Sequence, residues 1–162
     1  MAIRKLNLDD FFDEIEYTLI GIHTSIEDYR LVYLLNKALN LRLVRKREDV
    51  DFKNNARFSL FEWENPSQMT IWNVVSNICK VELSDTKNDG STLFGDDKKI
   101  TKTFYLMPEF KNVNYFLKIC DDFHQFQVDK RIVNRIQEIS QISTAYKIEP
   151  NLIKSKDNLI FN

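Results

Sequence analysis

The run Thr103-Phe104-Tyr105-Leu106-Met107-Pro108-Glu109-Phe110-Lys111-Asn112-Val113-Asn114-Tyr115-Phe116-Leu117-Lys118-Ile119 holds two short apolar segments joined through a proline. Thr103–Leu106 and Val113–Ile119 each read as a strand, being rich in β-branched and aromatic residues and too brief for a helix. Pro108 fixes its own φ, removes a backbone donor and pushes Met107 towards extended geometry, so the joint is a strand end followed by a turn. Val113, Tyr115, Leu117 and Ile119 alternate with Asn114, Phe116 and Lys118, the two-residue period of a strand with one strongly apolar face. Downstream, Val128, Ile132, Val133, Ile136 and Ile139 recur at helical spacing and predict a helix over 127–140, with Asp129, Lys130, Asn134, Arg135 and Glu138 as its mixed-charge outer face. Ile142–Ile148 resumes a strand, and Pro150 ends it.

A second strand–helix–strand pattern lies near the start. Tyr17–Ile22 is a short apolar run consistent with a central strand. Thr24-Ser25-Ile26-Glu27 has capping-box spacing, which predicts a helix over 25–39. Ile26, Tyr29, Val32, Tyr33, Leu35, Ala38 and Leu39 form its apolar stripe, widened by Leu31 and Leu34. Asn40 serves as the stop, and 41–45 returns to extended structure. Between the two units, 57–63 and 69–75 flank the turn-like Asn65-Pro66-Ser67-Gln68 and predict a hairpin. Residues 84–99 carry two of the chain's three glycines and read as a mobile loop. Lys5–Leu8 reads as an edge strand, 9–16 as a solvated acidic segment, and 158–161 as a short strand or a docked plug. The expected architecture is one α+β domain over 1–162. It is a two-layer sandwich with two helices on one face of a largely antiparallel sheet, related to the ferredoxin-like arrangement.

The joint also carries a resemblance. Met107-Pro-Glu-x-x-x-Val-Asn-Tyr115 resembles the motif that names the IPExxxVDY family of small bacterial proteins. The likeness extends through Ile22-His23-Thr24-Ser25-Ile26-Glu27-Asp28-Tyr29-Arg30 and Lys154-Ser155-Lys156-Asp157-Asn158-Leu159-Ile160-Phe161. It implies a shared fold and no particular activity. The family pattern has Asp at the position of Asn114. An amide does not exchange a proton as a carboxylate does, so pairing with Glu109 for acid/base work is disfavoured here. Pro108, Glu109, Val113, Asn114 and Tyr115 are expected to be structural, with Glu109 and Asn114 accepting hydrogen bonds from backbone or basic groups.

The composition bounds the function classes. With 162 residues, 43% hydrophobic and 29% charged, the chain is long enough to bury its own core. A formal net charge of -1 leaves no global field to gather nucleic acid or an anionic membrane, so a charged partner needs a local patch. No leader-like or membrane-spanning run is read, so a cytoplasmic location is the expectation. Cys79 and Cys120 stand alone in apolar segments and read as reduced structural thiols.

No complete catalytic constellation, metal-ligand spacing or Gly-rich phosphate loop is present, so no catalytic residue, metal or cofactor is assigned. The leading expectation is a non-enzymatic interaction or regulatory module that binds another protein through a sheet edge, a hairpin or the long loop. A second is RNA association, in which the basic segment Arg42, Arg45, Lys46 and Arg47 joins the hairpin aromatics Trp63 and Trp72. A third is a small-ligand or weak hydrolytic site around His23 and Asp28, at a strand end ahead of a helix. Homodimer and monomer are left equally open.

Overall fold

The computed structural model describes residues 17–84, 99–121 and 130–161. The expectations at 5–8 and 9–16, the interior of the 84–99 loop and the first residues of the second helix lie outside them. Along the chain run β1 (Tyr17–Thr24), α1 (Asp28–Leu39), β2 (Val44–Arg45), β3 (Val50–Asp51), β4 (Arg57–Phe58), β5 (Leu60–Asn65), β6 (Thr70–Ser76), β7 (Ile78–Ser84), β8 (Lys99–Tyr105), β9 (Tyr115–Asp121), α2 (Lys130–Gln137) and β10 (Ile142–Lys147). Six strands form one antiparallel sheet in the order β10-β1-β9-β6-β5-β2, while β3–β4 and β7–β8 make separate two-stranded ribbons.

The strand order contains the ferredoxin-like arrangement. β1 and β6 are both antiparallel to β9, so they run parallel to each other with β9 between them. β9 and β10 are both antiparallel to β1, so they too run parallel with a strand between. These are two interlocked split β–α–β units, carrying α1 and α2 respectively. The strand directly after α1 does not complete the first unit, because β2 sits at the far edge against β5. The completing strand is β6, reached after the β5–β6 hairpin has turned.

Ile20, Ile22, Leu117, Ile119, Trp72 and Val74 project from the sheet into one core with Leu31, Val32 and Leu35 of α1 and Ile136 of α2. The α1 stripe differs from its sequence reading. Tyr29 and Tyr33 are each 64% exposed, because Leu31, Val32 and Leu35 define the buried face and the tyrosines lie roughly 100° or more around the helix from its centre. The capping box does not form. Glu27 is the N-cap without a side-chain bond; the Thr24 hydroxyl instead donates to Gln141 O at 2.7 Å and accepts from the Ile26 N–H. Asn40 ends α1 in the left-handed conformation, as its residue type favours.

The opposite face is covered as well. Leu19, Phe116, Val75 and Leu60 point into a second core with Phe58, Leu106, Met107, Val113, Ile148, Ile153 and Leu159. A Cβ on Gly21 would stand 3.3 Å from Ile148 Cδ1 and 3.4 Å from Val113 Cγ2, so the backbone approach there depends on glycine. This layer is irregular: the β3–β4 ribbon, the turn at Pro108–Phe110 and the tail after Pro150, with Leu159 docked at 1% exposure.

Asn77, fully buried between β6 and β7, holds that layer to the sheet. Its Nδ2 donates to Phe110 O and Val113 O at 2.8 Å each, and its Oδ1 accepts the Met107 N–H at 2.8 Å. Its backbone N–H donates to Asn114 O and its carbonyl accepts from Leu106 N, both at 2.9 Å. Removing the amide strands one donor and two acceptors away from water, each costing about 1–3 kcal/mol. Asn77→Ala is therefore expected to lower unfolding stability by about 3–5 kcal/mol, against less than about 0.5 for the exposed Thr144→Ala control. Urea unfolding followed by circular dichroism measures both.

Candidate functional site

The residues of the Pro108–Tyr115 joint point to three different neighbours. Glu109 Oε1 accepts the N–H groups of Lys154 and Ser155 at 2.8 Å each, and Oε2 accepts the Ser155 hydroxyl at 3.0 Å, tying the joint to the C-terminal tail. Asn114 Oδ1 accepts the Thr24 N–H at 3.0 Å, at the end of β1. The Tyr115 hydroxyl donates to Ile26 O at 2.9 Å, just ahead of α1. Burial, reinforced by the nearby Asp28 and Glu27 carboxylates, pushes Tyr115 up to about 12. Val113 is buried, and Pro108 opens the short 3-10 turn. Carboxylate, amide and phenol are thus each engaged by a different part of the chain, and they do not converge on one reaction space.

His23 and Asp28 do not converge either. His23 Nε2 lies 3.2 Å from the Tyr146 hydroxyl, with the rings 5.5 Å apart. Asp28 Oδ1 accepts the Tyr29 N–H at the start of α1. No hydrogen bond joins the two among the described residues. Among those residues, too, no group of three His, Cys, Asp or Glu gathers that could hold a metal ion. Cys79 and Cys120 form no disulfide among the described residues.

The basic segment is divided by the sheet edge. Arg45 ion-pairs with Asp49, donates to the carbonyls of Lys46 and Leu60, and stacks its guanidinium 5.5 Å from the Phe61 ring centroid. Lys46 donates to Glu62 Oε1 at 2.9 Å, and this bond raises the Lys46 pKa. Partial burial alone would raise the Glu62 carboxyl, but the bonds from Lys46 and Asn73 outweigh it and hold the group below its usual range. Arg42 and Arg47 are exposed and form no ion pair among the described residues. Two of the four cations are therefore committed to neutralising contacts.

Trp63 and Trp72 meet different cations. They face each other across β5 and β6 on the helix-bearing side of the sheet. With Leu39, Asn40 and Leu41 after α1, Asn65, Ser67 and Gln68 of the hairpin turn, and Arg131, Ile132 and Arg135 of α2, they line an open cleft of about 550 Å³. Trp72 is 3% exposed, its indole N–H donating to Thr70 Oγ1 at 3.0 Å, whereas Trp63 is only half-buried. The turn is held in place by the Asn65 side chain, which accepts the Ser67 N–H at 3.1 Å and donates to Gln68 Oε1 at 2.9 Å. Met69 completes it at φ 51°, a left-handed conformation usually left to glycine. Such a site offers an indole, guanidinium groups and amides, a set suited to holding an anionic ligand with a flat apolar part.

Arg131 and Arg135 are the charged lining residues, and the sequence reading left them out of any site. Their four-residue spacing puts them on one side of α2. Nothing in that spacing says which strands lie beneath, since the hairpin they approach is some 60 positions upstream.

Partial burial alone would raise the Glu109 carboxyl, but the N–H groups of Ser155 and Lys154 and the Ser155 hydroxyl outweigh it and set its pKa below the usual range. A carboxyl lowered by folding adds stability above its unfolded pKa, and that stability is lost as pH falls through the folded value. Glu109→Gln is expected to cost about 1 kcal/mol near neutral pH, with the gap to wild type closing as the solution is acidified below the carboxylate range. Paired urea titrations at neutral and acidic pH measure the gap. Comparison of the chain with protein-family models, curated proteins and solved structures finds no match.

Proposed function

We propose that the protein is a non-enzymatic binding module whose partner seats in the cleft between the β5–β6 hairpin and α2. The observation that carries this reading is the union of Trp63, Trp72 and Arg135 in a cleft of about 550 Å³, within the range of roughly 300–1,000 Å³ typical of binding sites. The groups lining it are rings, cations and amides, which recognise a partner without exchanging protons with it. The sheet edge is the weaker alternative, because Gln137 Nε2 donates to Ala145 O at 2.6 Å and partly blunts the outer strand β10. None of the described helices is long and apolar enough to cross a membrane. Kinship with the IPExxxVDY family is proposed on the joint residues together with residues 22–30 and 154–161, and the joint residues hold the fold.

The test is paired affinity capture from cell extract, using wild type and a Trp63→Ala, Arg135→Glu variant whose circular dichroism matches wild type. A protein or RNA recovered by wild type and reduced tenfold or more with the variant is the expected result. Equal recovery overturns the cleft as the binding site.

A further inference from the structure

We infer that the cleft binds single-stranded nucleic acid, seating a base on Trp63 and the adjoining phosphate on the guanidinium of Arg135. The inference rests on the cleft reading and names its ligand class.

Trp63 is half-buried and backed across the strand pair by the nearly inaccessible Trp72, so it is an anchored ring with an accessible surface. Anchored aromatics of this kind accept bases of any sequence by stacking. Arg135 lines the same cleft and makes no ion pair among the described residues. Among the described residues, no Asp or Glu lines the cleft. Polar groups complete the set. Gln68 has its Oε1 occupied by Asn65, which leaves its amide nitrogen to donate to a base carbonyl. Asn40 and the Ser67 hydroxyl supply further donors and acceptors at the rim.

An acidic peptide would pair its carboxylates with the guanidinium and its backbone with the amides but bring no flat ring to the indole, so the indole beside the guanidinium favours a base with its phosphate. The cleft is open, which admits a continuing strand in place of a closed-in mononucleotide. With a net charge of -1 there is no broad field, so binding is local and few phosphates are neutralised.

The chain has two tryptophans and both line the cleft, so its indole emission reports on this site alone. Full-length protein is titrated with a mixed-sequence single-stranded RNA decamer, the matching DNA decamer, a mononucleotide and an oligoglutamate, each at about 50 and 200 mM salt. Saturable quenching by the RNA or DNA decamer is expected. Trp63→Ala should weaken decamer binding about tenfold or more, read by anisotropy of labelled decamer. Arg135→Gln should weaken it and reduce the slope of log affinity against log salt by roughly 0.7.

Decamer binding that is unaltered in Trp63→Ala overturns the proposal, as does failure of both decamers to bind. Binding of the mononucleotide alone overturns the polymer, and oligoglutamate binding as tightly as the decamers overturns the base. Any of these results, alongside a captured partner that still depends on Trp63 and Arg135, leaves the binding-module reading standing.

Discussion

One buried amide fastens the second layer of this protein to its sheet. Asn77 occupies the point where the chain leaves β6 and enters the β7–β8 ribbon, and where the Pro108 turn would otherwise leave backbone groups without partners. Its side chain engages Met107, Phe110 and Val113, while its own backbone bonds Leu106 and Asn114. An aspartate could accept but not donate, and a leucine could do neither, so a residue offering both is required. Met107 and Val113, held by these bonds, are among the most buried side chains of the second core. A polar constraint thus determines which apolar residues meet.

The C-terminal tail is tied to the same layer by similar means. Glu109 gathers the backbone at Lys154 and Ser155, and Asn158 Nδ2 donates to Leu106 O at 2.7 Å. Lys118, on the sheet, donates to Leu159 O at 2.6 Å and places its ammonium 4.9 Å from the ring centroids of both Tyr17 and Phe161. Two aromatic faces and a carbonyl compensate the partly buried ammonium for water it has lost. The sheet therefore carries cores on both faces, although among the described residues α-helices lie on only one.

Periodicity made the main strands and helices legible before any coordinates. The two-residue alternation of β9, the apolar run of β1, the 65–68 hairpin turn and the Asn40 stop all reflect local chemistry, and the α+β layout follows from their order. Pairing was less legible. Phe116 reads as a member of the weaker β9 face, yet it is fully buried, because an irregular layer that leaves no periodic signal covers it. Val44–Arg45 reads as the partner completing the first strand–helix–strand unit, but its position is set by a hairpin that follows it in sequence. Thr24 has the spacing of a helix cap, and the Gln141 carbonyl, 117 positions away, takes its hydroxyl instead. In each case a long-range contact overrides a local preference, and no local pattern encodes it.

The cleft follows from a mismatch of widths. Six strands at about 4.8 Å each cover roughly 29 Å in full width, while two packed helices about 10 Å across cover roughly 20 Å. The four strands of the split units fit beneath α1 and α2, and the further pair, β5 and β2, carries the sheet beyond them. β5 and its neighbour β6 therefore present side chains at the margin of the helical layer, where Trp63 is only half-buried. An apolar side chain there would leave a greasy strip exposed, whereas an indole can remain partly hydrated beside the α2 arginines. The aromatic and the cations that define the candidate site are thus residues suited to the edge of a sheet slightly too wide for its helices. The same excess width leaves room for a ligand beside them.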